Sequence, residues 1–270
     1  LGGITGKITS APAAHLSVLC NQMVNFLGIM QNEWAGAQAF SSFDTYLAPF
    51  VKADNLSYKE VKKCIEAFIY GVNTPSRWGT QAPFSNITLD WTVPADLAEL
   101  PAIVGGKEMD FKYKDCKKEM DMINKAFIET MIEGDANGRG FQYPIPTYSI
   151  TRDFDWSDTE NNRLLFEMTA KYGTPYFSNY INSDMEPSDV RSMCCRLRLD
   201  LRELRKKTGG YFGSGESTGS VGVVTINMLR IAYLSQDKDD FYRRLNKMMD
   251  IAARSLKMKR DVITRLLDEG

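Results

Sequence analysis

Apolar residues recur at three- and four-residue steps through residues 10–39, where Leu16, Leu19, Cys20, Met23, Phe26, Leu27 and Met30 mark one side of a helix. The small residues of "EWAGAQA" at its far end would let another backbone approach closely. A second helix is predicted from Ser57, an N-cap with Glu60 three residues on, and its inner stripe is Val61, Ile65, Phe68, Ile69 and Val72. "APFSNITLDWTVP" then has the aromatic and β-branched content of a strand near 84–93, stopped by Pro94. A third helix is expected over 113–133, with Cys116, Met120, Ile123, Phe127 and Met131 on one side and the glycines of "GDANGRG" ending it.

"FQYPIPTYSITRDF" reads as a strand whose prolines suit its beginning or an irregular rim. A helix over 158–171, opened by Ser157 or Asp158, leads to the short apolar run "TPYFSNYIN". "SVGVVTIN" reads as a buried strand by its β-branched content, and two helices, 237–256 and 259–268, close the chain. Helix alternating with strand argues for an α/β fold with a largely parallel sheet, open or closed into a barrel. Polar pairs are read as strand ends at Ser85–Asn86, Thr147–Tyr148 and Ser178–Asn179, and at "TIN" (225–227). Ligands of α/β folds bind beyond the carboxyl ends of strands, so these clusters are candidates for one pocket.

Composition narrows the chemistry. The 33 Lys+Arg against 34 Asp+Glu imply no general attraction to nucleic acid or to a membrane surface. No apolar run approaches the roughly 18–20 residues that cross a bilayer. Five cysteines, Cys20, Cys64, Cys116, Cys194 and Cys195, lack a disulfide-scaffold or C-x-x-C spacing, which favours a reducing, cytoplasmic setting and no zinc ribbon. His15 is the only histidine, so a Ser-His-Asp triad or a multi-histidine metal site is nearly excluded, and His15 itself reads as structural.

The glycine-rich "GGYFGSGESTGS" (209–220) has neither phosphate-loop spacing nor the strand-then-helix context, and reads as a turn. Asp153, Asp155, Asp158 and Glu160 could form a metal or acid/base cluster; the simpler reading, that Asp158 and Glu160 serve the helix start, is preferred. Arg196, Arg198, Arg202 and Arg205, alternating with leucines, are a solvated face or a dock for an anionic substrate. The adjacent Cys194 and Cys195 are buried filler, a redox pair with outside partners, or one reactive thiol beside a bystander; flanking arginines stabilise a thiolate.

Six blocks carry a resemblance: "QNEWAGAQAFSSFDTYLAPFV" (31–51), "NTPSRWGTQAPFSNITLDW" (73–91), "PIPTYSITRDFDW" (144–156), "LLFEMTAKYGTPYFSNYINSDM" (164–185), "SMCCRLRLD" (192–200) and "GVVTIN" (222–227). In order and content they resemble the catalytic subunit of anaerobic (class III) ribonucleoside-triphosphate reductase. The resemblance implies a ten-stranded α/β barrel of the glycyl-radical enzyme type, incomplete in this chain, with a finger loop near 185–220. Residues 1–73 would hold the helical dimer and effector region, and 74–270 the barrel strands, helices and finger loop. It further implies reduction of ribonucleoside triphosphates to deoxyribonucleoside triphosphates by thiyl and glycyl radical chemistry. The alternatives are another glycyl-radical enzyme, formate-lyase-like or a dehydratase, or a noncatalytic nucleotide-binding and dimerisation fragment.

Carried over by position, the family's M-x-C-R pattern makes Cys195 the radical cysteine, with Cys194 and Arg196 beside it, and Asn227 the active-site amide. Ser85, Asn86, Ser178 and Asn179 are substrate contacts by the same comparison. No glycyl-radical motif, four-cysteine zinc site or ATP-cone is found, so the glycyl radical and zinc are expected outside this chain, and the chain is expected to be an internal fragment inactive alone. Implied partners are a ribonucleoside triphosphate, ATP and deoxynucleotide effectors, a radical-SAM activating enzyme, formate or a thioredoxin- or glutaredoxin-like reductant, and a second copy in a homodimer.

Overall fold

The computed structural model describes residues 9–33, 37–74, 82–181, 190–192, 198–200 and 222–269, with backbone alone at 32–33, 190–192 and 198–200. The chain divides into two compact units, Leu1–Glu203 and Leu204–Gly270. In the first unit the elements run α1 (Leu16–Glu33), β1 (Gln38–Phe40), α2 (Phe43–Ala53), α3 (Tyr58–Asn73), β2 (Ser85–Leu89), α4 (Ala95–Ala98), β3 (Pro101–Val104) and β4 (Lys107–Lys112). After a 3-10 turn at Tyr113–Cys116 come α5 (Lys117–Glu133), β5 (Ile145–Ile150), α6 (Glu160–Tyr172), β6 (Tyr176–Asn179), β7 (Val190–Ser192) and β8 (Arg198–Asp200).

Four strands form one sheet in the order β1-β2-β5-β6, every neighbouring pair parallel. Parallel neighbours need crossovers, and α2–α3, α5 and α6 supply them. The α/β class and parallel sheet are as the sequence predicts. Among the described residues the sheet is open, with β3–β4 and β7–β8 as separate antiparallel pairs, so no ten-stranded barrel is seen.

One face of the sheet carries Ile87, Leu89, Tyr148 and Ile150 into a core shared with the helices. There α3 packs on α1 and α5, and α5 packs on α2 and α6. Gly71 permits the first contact: a Cβ there would stand 2.9 Å from Val24 Cγ2. The α3 start is as predicted, with Glu60 accepting from both the N–H and the hydroxyl of Ser57 at 2.8 and 2.7 Å.

Glu129 on α5 accepts the Tyr58 hydroxyl at 2.6 Å and Lys62 Nζ at 3.2 Å, tying α5 to α3. Burial pushes the Glu129 carboxyl up, but the Tyr58 hydroxyl, Lys62 and Lys125 outweigh it and hold it below its ordinary 4.5. A carboxyl depressed by folding adds stability above its unfolded value, and that stability is lost as pH falls from about 4.5 through the folded value. Urea titrations at neutral pH and at about pH 3.5 are expected to show a midpoint drop that Glu129→Gln reduces.

Several boundaries differ from the pattern-based expectation. The 10–39 helix spans 16–33, because Gln38–Phe40 is captured as an edge strand, Gln38 N–H donating to Phe84 C=O at 3.0 Å. The unpredicted α2 contains Pro49, a local signal against a helix, and is buried along most of its length. The β3–β4 hairpin turns on Gly105 and Gly106 at φ 63° and 74°, a turn that the "GG" of "IVGGKE" signals. Helix α6 is capped by Thr159, whose Oγ1 accepts from Asn162 N–H, while Asp158 instead forks to Arg163.

The second unit contains α7 (Met228–Leu234) and α8 (Lys238–Asp268). The two closing helices predicted from sequence are one continuous 31-residue helix, since no Gly or Pro interrupts it and Lys257 pairs with Asp261 across the expected break. Residues 222–227, read as a buried strand, have no strand partner among the described residues, and Val223 is 74% exposed. β-Branched content expresses a preference that only a neighbouring ladder realises. Among the described residues no helix is long and apolar enough to cross a membrane.

Candidate functional site at the polar face and carboxyl edge of the sheet

Parallel register puts paired residues on the same face, and alternate residues on opposite faces. Thr88 pairs with Thr147 and Ser149 with Ser178, so Asn86, Thr88, Thr147, Ser149 and Ser178 share the face opposite the helix-packed core. Asn86, Thr88, Thr147 and Ser178 are all buried. Asn86 Nδ2 donates to Thr147 Oγ1 at 3.3 Å, and Asn86 Oδ1 has no partner among the described residues. Thr88 Oγ1 accepts the Ser42 N–H at 3.0 Å and keeps its own proton to donate. Such a row of hydroxyls and an amide suits a ligand rich in hydroxyl groups.

The register sorts the four strand-end residues picked from the sequence. Asn86 and Ser178 lie on the polar face, whereas Ser85 and Asn179 have the opposite parity. Ser85 and Asn86 open β2 rather than close it, and Thr147–Tyr148 sit inside β5; only Ser178–Asn179 end their strand. Asn179 Oδ1 accepts the Ile181 N–H at 2.9 Å, and Ser85 Oγ is buried without a partner. Sequence reading took Thr147 for a strand end and missed Thr88 and Ser149. Their signal was the alternation of hydroxyl with apolar residues in "ITL" and "TYSI".

At the carboxyl edge a single carboxylate gathers the chain. Asp44, in the first turn of α2 and fully buried, accepts N–H bonds from Thr45 (3.1 Å), Asp90 (2.8 Å), Trp91 (2.9 Å) and Asn124 Nδ2 (2.9 Å). Burial pushes its carboxyl upward, and the Asn124 amide and backbone N–H groups oppose that. Trp91 stands at φ 64°, a left-handed conformation costly for a bulky residue. It stacks on Phe154, from the segment after β5, at 5.5 Å and 14°. Tyr148, kept protonated by burial and by the Asp44 charge, donates to Asn124 Oδ1 at 3.1 Å. Nothing local in "SSFD" announces these long-range partners.

Cys194, Cys195 and Arg196 lie outside the described residues, as does the glycine-rich 209–220 stretch. They fall in sequence between strand β7 and later residues: Ser192 pairs with Arg198, so β7 and β8 bracket the cysteines. The described cysteines are free, and each thiol is biased toward its protonated form, Cys116 being pushed up to about 11 by burial first and Glu119 second. Asn227, in the second unit, is exposed and caps α7, its Oδ1 accepting Arg230 N–H at 2.9 Å. His15 reaches Asp54 at 2.9 Å, a surface tie between α1 and the end of α2. No group of three or more His, Cys, Asp or Glu placed to hold a metal occurs among the described residues.

A parallel sheet with crossover helices, one face apolar and the other lined with hydroxyls, defines an α/β protein of the kind that takes ligands at its strands. Comparison with known proteins specifies which. The family model for anaerobic ribonucleoside-triphosphate reductase matches residues 1–270, and the chain belongs to that family. Among solved structures it is similar to the Thermotoga maritima anaerobic ribonucleotide reductase with dATP bound in the specificity site (TM-score 0.71, 21% identity, all of this chain and 44% of that one). The same enzyme in complex with dATP and CTP gives a TM-score of 0.67 at 20% identity, with the same coverage. A further anaerobic ribonucleotide reductase matches at 0.65 and 21%, over 97% of this chain and 41% of the other. The chain thus spans less than half the length of these relatives. No curated protein matches it.

Proposed function

We propose that this chain is part of the catalytic subunit of an anaerobic ribonucleoside-triphosphate reductase, which converts ribonucleoside triphosphates to deoxyribonucleoside triphosphates by radical chemistry. The observation that carries this reading is the family match over residues 1–270. Cys195 is the hydrogen-atom carrier: its S–H gives up hydrogen, and the resulting thiyl takes the 3′-hydrogen of the ribose, easing loss of the 2′-hydroxyl as water. Two features support it. Cys20, Cys64 and Cys116 pack in or against the hydrophobic core, and β7 and β8 bracket in sequence the segment with the remaining two cysteines.

Asn86, Thr88, Thr147 and Ser178 offer the ribose or phosphate oxygens a dry, hydrogen-bonding face, where such contacts gain strength from exclusion of water. Cys194, Arg196 and Asn227 complete the set by the family's pattern. A glycyl radical, in residues outside this chain, supplies the oxidising equivalent, and zinc belongs there too. The rest of the reading is a barrel closed by further strands, dATP-type effectors, a homodimer, a radical-SAM activating enzyme, a formate or dithiol reductant, and a cytoplasmic location.

The test is an anaerobic assay of the full-length subunit with its activating enzyme, which should form deoxyribonucleotide from CTP, alongside the isolated 270 residues, which should form none. Turnover by the isolated residues, or none by the activated full-length subunit, contradicts the reading.

A further inference from the structure

We infer that Asp44 is a positioning residue, a buried carboxylate that sets the loops at the carboxyl edge of the sheet and through them the geometry of ligand binding. The inference rests on the functional reading above. Both Asp44 oxygens are taken up by N–H groups of the chain itself, so whatever it does passes through the groups that it holds. Those groups form a closed circuit. Asp44 Oδ2 takes the Trp91 N–H and the Asn124 amide, Asn124 Oδ1 takes the Tyr148 hydroxyl, and the Tyr148 ring meets Trp91 edge-on at 5.3 Å.

Each member belongs to a different element: α2, the loop after β2, α5 and β5. The circuit extends outward from Trp91 through Phe154 to Trp156, whose ring is 4.5 Å from Phe154 and which is 60% exposed. Beside it Thr45 Oγ1 donates to Asp90 Oδ2 at 2.7 Å, fixing that carboxylate where β2 ends. An apolar side chain at position 44 would fill the same space at less desolvation cost. What only a carboxylate provides is a pair of acceptors for two successive N–H groups, and these hold Trp91 in its left-handed conformation. Polar-face residues Thr88 and Thr147 lie one or two positions before the segments so held. The loops and the polar face are therefore set by one construction.

The experiment measures CTP and dATP affinity separately on the full-length subunit, as wild type, Asp44→Asn and the milder Tyr148→Phe, below the unfolding temperature of each. Loosening the edge is expected to weaken CTP binding about tenfold in Asp44→Asn and about threefold in Tyr148→Phe, in each variant by more than it weakens dATP binding. A purely structural role lowers the melting temperature and leaves the CTP constant in place, or weakens both nucleotides alike; either result overturns the assignment. If Asp44→Asn does not fold, Tyr148→Phe decides by the same criteria. If wild type binds no CTP, the functional reading fails and this assignment with it, whereas wild-type binding with unaltered variants removes this assignment alone.

Discussion

Replacing Cys195 with serine in the full-length subunit is expected to abolish ribonucleotide reduction, while Cys194→Ser keeps activity within about tenfold of wild type. The two residues differ by one position, so the pair is its own control. A serine O–H holds its hydrogen far more tightly than a cysteine S–H, and a barrier raised by even about 6 kcal/mol slows a reaction about 10⁴-fold. Activity is read as deoxyribonucleotide formed, and the glycyl radical by electron paramagnetic resonance. Loss of product with the glycyl signal intact is the expected signature of Cys195→Ser. Equal loss in both variants, or loss in Cys194→Ser alone, would reassign the carrier.

The second large effect is on stability. Asp44→Leu keeps the branched side-chain skeleton, with two larger methyl groups for the two oxygens, and leaves the N–H groups of Thr45, Asp90 and Trp91 and the Asn124 amide without their acceptor. Each buried N–H left without an acceptor costs about 1–3 kcal/mol, so losing several at once removes a large share of the stability of an ordinary domain. Chemical unfolding followed by tryptophan fluorescence should show the midpoint fall by that equivalent, or an unfolded chain. A midpoint within 1 kcal/mol of wild type, on the order of a single hydrogen bond, would mean that water replaces the carboxylate.

How much of this was legible beforehand depends on the range of the interactions. Helix α3 declared itself through Ser57, Glu60 and a stripe from Val61 to Val72, all local. Helix α5 and strands β2, β5 and β6 followed from period and composition within a few residues of their ends. Helix α2 stayed hidden because Pro49 argues locally against a helix. The stretch 222–227 misled for the converse reason: it has strand composition and, among the described residues, no strand beside it.

The site divides along the same line. Asn86 and Ser178 were chosen from the sequence, but so were Ser85 and Asn179, and only the register separates the pairs by face. Asp44 gave no sign because its partners are 46, 47 and 80 positions away in Asp90, Trp91 and Asn124. The roles given to Cys194 and Cys195 rest on family resemblance alone, since both lie outside the described residues.

The sheet's strand order, identical to its order along the polypeptide, bears on how the protein is made. Each strand joins a neighbour that was synthesised before it, so the growing edge never waits for a segment still inside the ribosome. The helix between two strands can pack onto a platform already laid down. Parallel sheets are slow to assemble when distant segments must find one another, and vectorial growth from β1 to β6 replaces that search with a series of short closures.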